Sequence, residues 1–425
     1  MTETTQSALD VRAAVRSFMA HSEQALASYV EACLHCGQCA EACHFHLASG
    51  DPRHTPAYKL FPIAKAWRHQ KFPLSWLGLA PAITERDLRE WEELLFDSCT
   101  MCGRCTMVCP MSIDIAAIVS VAREGFVKAG LGPPDLLAAA DASRDHGSPL
   151  GVTADKLAER LDWLADEFDT RFNLDRSPSE VLLTVSSIEL MKYPDSVVAM
   201  AKLLNHAGVS WTLSSIGYEA TNFGYLAGKP EIAKLMVERV NEAARAVGAN
   251  VVIVPECGHA YGVLRWSAAN MLGHALPYEV LHITEYLARL KREGKLRFRP
   301  MGESITFHDP CQIARRGGAT NDARELLDGM ATDFREMTPS GNDGWCCGGG
   351  GGVQAIARAA PLRYKVFKIK MEQVEKTGAA TMVSSCSNCR LTMDESKAHW
   401  KWEGGLASLV DLLAQHLIED AAPPG

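Results

Sequence analysis

Long apolar runs are missing from this chain. The nearest approach, residues 72–83, holds two prolines and a serine and falls far short of the roughly 18–20 apolar residues that cross a bilayer. It is expected to be a buried connector between modules, with an interfacial or partner-docking segment as the alternative. Positive charge is also short: 43 Lys and Arg against 51 Asp and Glu leave a formal net charge of −8, which argues against a nucleic-acid surface. Aromatic residues, at 7 %, add no stacking platform to that case. The start, Met1-Thr2-Glu3-Thr4, has neither a basic segment nor an apolar core, so no secretory signal is expected. What remains is an ordinary globular composition, 47 % apolar and 22 % charged over 425 residues, enough for two or three domains.

Cysteine is what the chain does have. Of the 14, eight form two copies of Cys-x2-Cys-x2-Cys-x3-Cys: Cys33, Cys36, Cys39 and Cys43, then Cys99, Cys102, Cys105 and Cys109, followed by Pro110. Five more lie far downstream as Cys311, the adjacent pair Cys346-Cys347, and Cys386-x2-Cys389. Cys257 stands alone. Clusters of this kind do not make a disulfide scaffold, so a reducing compartment, the cytoplasm, is expected. Three thiolates on one tight loop suit three irons of a cubane, and in two-cluster ferredoxins the fourth cysteine of such a run ligates the other cluster. Two [4Fe–4S] cubanes are therefore expected, one on Cys33, Cys36, Cys39 and Cys109, the other on Cys99, Cys102, Cys105 and Cys43. Zinc prefers two separated Cys-x-x-Cys knuckles and fits this spacing poorly. His44 takes the place of the usual Pro after Cys43; His44 and His46 read as hydrogen-bonding or solvated groups near the cluster.

The pattern around the cysteines changes along the chain. Residues 11–129 are mostly helical, with a helix expected over 113–128. Residues 131–178 carry Gly132, Pro133, Pro134, Gly147, Pro149 and Gly151, then a charged helical piece over 154–169. From Val181 short apolar β-branched runs (181–185, 251–254, 305–307, 381–383) alternate with helical segments (195–205, 230–247, 324–328, 361–376), which predicts an α/β region with buried strands. That region reads as duplicated. Strand, Cys311, strand, Cys346-Cys347-Gly348, long helix, strand and Cys386 in the second half face strand, Ser186-Ser187, strand, residues 219–224, long helix, strand and Cys257 in the first.

The arrangement Cys311-x34-Cys346-Cys347-Gly348-x37-Cys386-x2-Cys389 resembles the cysteine-rich CCG domain of heterodisulfide reductase catalytic subunits. The likeness extends to Tyr218-Glu219-Ala220-Thr221-Asn222-Phe223-Gly224, Pro255-Glu256-Cys257-Gly258-His259-Ala260-Tyr261 and His308-Asp309-Pro310-Cys311. These stretches are most similar to the iron–sulfur subunits of membrane complexes associated with dissimilatory sulfite reductase. The resemblance implies that Cys311, Cys346, Cys347, Cys386 and Cys389 hold one noncubane [4Fe–4S] cluster that cleaves disulfides by one-electron steps. Heterodisulfide reductase proper has two such five-cysteine sets; this chain has one, with the first half kept as scaffold.

The expected fold class is α+β: a helical ferredoxin-like two-cluster module (1–130), a connector (131–177) and a duplicated α/β cysteine-rich domain (178–425). Catalytic candidates are the five downstream cysteines with Cys257 and His259. Cys257 reads either as an inert buried thiol or as a ligand or redox partner facing the cluster, and His259 as a packed residue or a proton donor. The Gly348–Gly352 run is read as close backbone approach to a bulky inorganic centre, Asp309 as a turn cap in preference to a proton relay, and Arg315 and Arg316 as a lure for an acidic carrier tail or as solvated charge. Lys365, Lys368 and Lys370 are read as the wet face of a helix. The expected function is a cytoplasmic subunit, peripheral to the membrane through a cytochrome b or quinone-reactive partner. It would pass electrons through the cubanes to or from the noncubane cluster, which reduces or oxidises a disulfide or trisulfide of a small sulfur-carrier protein. The alternative is a relay subunit between a hydrogenase or other dehydrogenase and that membrane partner.

Overall fold

The computed structural model describes residues 8–20, 25–72, 75–77 and 82–419. Half of residues 72–83 lies outside them; of the rest, Phe72 and Leu77 are exposed and Ile83 is buried.

The N-terminal region is helical. Helices Val11–Ala20, Phe61–Lys71, Glu85–Asp97 and Ile115–Lys128 close around Phe18, Ile63, Leu95, Phe96, Ile118 and Phe126. Glu85–Asp97 starts where Thr84 and Asp87 cap each other's backbone, which satisfies two N–H groups a helix start leaves unpaired. The segment after it is not a loose tether. Helices Pro134–His146 and Ala154–Phe168 are packed, the first through Leu136 and Ala140 into the N-terminal core, the second through Leu157, Leu161 and Leu164 into the core of the α/β region.

That region is two copies of one architecture. Strands β1 (Val181–Leu183), β2 (Trp211–Thr212), β3 (Val251–Val254) and β4 (Glu279–His282) form a four-stranded parallel sheet in the order β2-β1-β3-β4. Strands β5 (Met301–His308), β6 (Ala331–Phe334), β7 (Thr381–Ser384) and β8 (Gly405–Ser408) repeat it as β6-β5-β7-β8. Parallel neighbours need crossover connections, and the longest are the matching helices Pro230–Val247 and Ala360–Glu375, each with Pro in its first turn, where the missing N–H costs nothing. Val181, Leu183 and Ile253 of one sheet and Ile305, Phe307 and Val383 of the other belong to one apolar core.

Arg123, fully buried in helix Ile115–Lys128, ties the three parts together. Its guanidinium donates to the carbonyls of Leu95, Phe96 and Cys99 in the helical region, of Leu226 in the first α/β half and of Gly351 in the second. Its face lies over the Phe96 ring, 4.6 Å from the centroid. Burial lowers its pKa to about 10, so it remains a cation at neutral pH. A planar fork with five N–H donors serves several carbonyls at once, which an ammonium does not. Arg123→Met leaves those buried carbonyls unpaired and should cost about 3–5 kcal/mol in urea unfolding of the cluster-loaded protein; a loss below about 1 kcal/mol would remove Arg123 from this role.

Candidate functional site

The two N-terminal cysteine runs fold alike. His35 and Met101 carry positive φ of 52° and 55°, followed by Gly37 and Gly103 at 84° and 75°. Such left-handed residues cost on the order of 1–2 kcal/mol when they are not glycine; here they bend each loop so that three thiols turn to one side. Gly37 and Gly103 then start the short helices Gln38–Glu41 and Arg104–Val108. Cys43 and Cys109, just beyond, are extended, with φ of −101° and −77°, and reach to the opposite run.

The thiols fall into crossed sets. One cavity is lined by Cys33, Cys36, Cys39 and Cys109, with Cys105 at its edge, the other by Cys99, Cys102, Cys105 and Cys43. The first set is the outer one: Cys36 is exposed, as are Leu34 and Met111, which line the same cavity. The second is inner. Burial pushes the Cys43 and Cys105 thiols up, and the Lys59 ammonium pulls Cys43 back. Lys59 is 1 % exposed, lines the inner cavity and donates to the Ser98 carbonyl and hydroxyl. A buried cation at this point offsets the negative charge of a thiolate-bound cluster. His44, also on that cavity, has no partner for either ring nitrogen among the described residues, whereas His46 bonds the Asp51 carbonyl at 3.1 Å.

The five downstream cysteines meet at the C-terminal ends of β5 and β7. Cys311 follows β5, Cys386 caps helix Ser387–Trp400 and Cys389 lies inside it; all five are buried. Cys311 and Cys346 sulfurs are 3.7 Å apart, Cys346 is 3.5 Å from the Thr100 hydroxyl, and Cys102 packs against the buried cluster that holds the five cysteines. The inner set and the third set therefore touch. Two further groups, neither given a cluster role by sequence, fit iron–sulfur occupancy. Lys370, 1 % exposed, is not on a wet face: burial lowers its pKa to about 8, against the pull of Asp309 and the Cys346, Cys347 and Cys389 thiolates. His308 is buried with both ring nitrogens unpartnered. Lys365 and Lys368 are exposed, as expected. Nothing in the local sequence marks Lys59 or Lys370; both have the spacing of surface lysines.

Several readings change. The glycine run gives room to protein as much as to an inorganic centre. A Cβ on Gly349 would overlap Thr392, and one on Gly351, whose φ is +64°, would lie 2.8 Å from the Cys99 carbonyl oxygen. Two of the glycines face the thiols: Gly348 donates its N–H to Cys346 at 3.5 Å, and the Gly349 N–H bonds Cys347. Arg315 is half-buried on the outer cleft and bonds the carbonyls of Cys102, Asn342 and Gly344. Arg316 pairs with Asp114 at 3.3 Å. Both bind the helical region to the cysteine-rich half. Asp309 accepts from Arg324 and from the Gly341 N–H.

Cys257 occupies the place of Cys386 in the first half. Each caps the helix after the third strand of its sheet, with φ, ψ of −135°, 101° and −144°, 113°. The Cys257 thiol lies 3.9 Å from the Thr221 hydroxyl, and burial pushes its pKa up. The next residue, Gly258, gives its N–H to the Cys386 sulfur. Around Cys257 a cavity is walled by Ile188, Phe223 and Leu226 on one side and by Ser387 and Asn388, which flank the third set, on the other. His259 lines this cavity and an outer cleft between the helical region and the α/β halves. Its Nε2 accepts the Gly351 N–H at 3.0 Å, and burial lowers its pKa to about 4. It is a neutral hydrogen-bonding residue at pH 7, not a charged proton donor.

Residues 29–113 match the 4Fe-4S dicluster domain family and residues 305–394 the cysteine-rich domain family. An Hdr-like menaquinol oxidoreductase iron-sulfur subunit from Archaeoglobus profundus is 24 % identical, over 92 % of this chain and 80 % of the relative. A subunit of the dihydromethanophenazine:CoB–CoM heterodisulfide reductase of Methanosarcina barkeri is 25 % identical, over 91 % of this chain and 94 % of the relative. The chain thus carries a 4Fe-4S dicluster domain and a cysteine-rich domain, and over most of its length it is similar to heterodisulfide-reductase-like iron–sulfur subunits. The EtfAB:quinone oxidoreductase of Syntrophomonas wolfei is 28 % identical, over 86 % of this chain and 54 % of that protein. The dicluster match spans both crossed sets, and the cysteine-rich match covers the half that carries the third.

The crossed arrangement has a direct test. Cys43→Ser should perturb the same paramagnetic signal as Cys99→Ser, and Cys109→Ser the same one as Cys36→Ser. A Cys43 variant that behaves like a Cys36 variant would contradict it.

Proposed function

We propose that this iron–sulfur oxidoreductase subunit works in a membrane redox complex and acts on a sulfur–sulfur bond. In this reading Cys33, Cys36, Cys39 and Cys109 hold one cubane, Cys99, Cys102, Cys105 and Cys43 a second, and Cys311, Cys346, Cys347, Cys386 and Cys389 a noncubane [4Fe–4S] cluster. When bound, these groups supply one-electron transfer. The carrying observation is the packing of Cys102, and of Thr100 at 3.5 Å from Cys346, against the third set, because electron tunnelling falls steeply with distance and here the inner and third sets meet.

The residues around the third set suit the disulfide or trisulfide of a small sulfur-carrier protein. Reducing a disulfide consumes two electrons and two protons and releases two thiols. Cys257, Thr221 and Asn388 line a cavity beside the third set, where a sulfur atom would lie against Cys257. The apolar wall of Ile188, Phe223 and Leu226 excludes water from it. The exposed Leu34 and Met111 line the outer set's cavity and suit an apolar redox partner, a membrane cytochrome b or quinone-reactive subunit. No helix among the described residues is long and apolar enough to cross a membrane, which fits peripheral attachment at the cytoplasmic face through that subunit. The single five-cysteine set favours one other reading, a relay without its own substrate between a hydrogenase or other dehydrogenase and the membrane partner.

One experiment separates them. Reduced protein is mixed with an oxidised dithiol carrier and followed by electron paramagnetic resonance, for the wild type and for Cys257→Ala. The catalytic reading expects a thiol-dependent species and turnover in the wild type, and loss of turnover with unchanged iron content in Cys257→Ala. No such species and no carrier binding leaves the relay; full turnover in the variant makes Cys257 inert.

A further inference from the structure

His308 is the last residue of β5, paired with Ser384 of β7, and is fully buried. Neither ring nitrogen has a hydrogen-bond partner among the described residues. Leaving a buried polar atom unpaired costs on the order of 1–3 kcal/mol. A ring nitrogen of His308 and the sulfurs of Cys347 and Cys389 all lie within 4.8 Å of one another, yet no N–H···S bond joins them. That spacing suits an atom bonded to all three. Among the described residues this is the one group of metal-ligating side chains with such spacing; His44, equally unpartnered on the inner cavity, is not in one.

The duplication supplies an internal control. Leu183 pairs with Ile253, and Thr306 with Met382. Ile253 and Met382 stand at the same distance before the equivalent residues Cys257 and Cys386, so Leu183 and Thr306 are equivalent too. Counting on, His308 corresponds to Val185 and Cys311 to Ile188. The half without the ligand cysteines also lacks the histidine, although Val185 is as buried as His308. A histidine needed only for packing would not track the cysteines in this way.

We propose that His308 is a sixth protein ligand of the third centre, bound to iron through a ring nitrogen. This rests on the reading that the five cysteines hold an iron–sulfur centre. A neutral imidazole in the ligand set raises the reduction potential relative to thiolates alone, as histidine does in Rieske centres, and so draws electrons inward from the cubanes.

The test is nitrogen hyperfine spectroscopy on the paramagnetic third centre in protein grown with 15N-histidine, together with Mössbauer spectra and iron and sulfide content. The expected result is a strong, directly bonded 15N coupling in the wild type. In His308→Asn the coupling should disappear, and wherever that variant loads the centre its potential should fall. A loaded third centre without nitrogen coupling, with only the weak coupling of a hydrogen bond, or with coupling that survives in His308→Asn overturns the proposal. Absence of a third centre from the wild-type Mössbauer spectrum overturns instead the reading on which it rests. The wild-type measurement decides even if His308→Asn fails to fold.

Discussion

A single buried guanidinium joins everything that has to meet for electrons to move. Arg123 takes carbonyls from the helix before the second cysteine run, from Cys99 itself, from the first α/β half and from the glycine run that follows Cys346-Cys347. Its charge has no carboxylate among these hydrogen-bond partners, so backbone dipoles solvate it. Gly351 completes the junction from the other side, since any side chain there would collide with the Cys99–Thr100 backbone. The inner thiols and the third set are thus pressed together by the way the helical region docks, and Arg315, bonded to the Cys102 carbonyl, holds the same seam from the cysteine-rich half.

The duplicated sheets explain why the third site is one-sided. Both halves present the C-terminal ends of their central strands to a common seam, where open parallel sheets place ligands. In the second half those ends carry His308, Cys311, Cys386 and Cys389; in the first, Val185, Ile188, Cys257 and Ala260. In place of a second centre, a small cavity of apolar and polar side chains, Phe223 and Leu226 with Thr221, His259 and Asn388 among them, lies beside the cysteine set. Buried cations accompany the thiols, Lys59 at the inner set and Lys370 at the third, as expected where anionic clusters are taken out of water.

Sequence reading reached the parts whose chemistry constrains spacing. Three thiols around one cubane force the Cys-x2-Cys-x2-Cys pattern, and the extended residue after each short helix carries Cys43 and Cys109 across. The central strands β1, β3, β5 and β7 were legible because both faces are buried and the residues read as continuous apolar runs. The edge strands β2, β4, β6 and β8 are short and mixed, as in Trp211-Thr212 or Gly405-Leu406-Ala407-Ser408, and sequence offered no residues for them. Buried charge was hidden for a different reason: Lys370, Arg315 and Arg123 look like any helical surface cation, and only the fold shows that carbonyls or thiols surround them. The glycines were recognised as a close approach, but much of what they approach is the backbone of the other module.

The central claim is that the three cysteine sets lie in series, with the crossed inner set between the outer set and the five-cysteine set. Iron anomalous diffraction from anaerobically grown crystals tests it most directly. The account predicts three separate iron centres, the middle one bounded by Cys43, Cys99, Cys102 and Cys105 and adjacent to Cys346, with no iron beside Cys257. Only two centres, a middle centre lacking Cys43, or iron in the Cys257 cavity would contradict it.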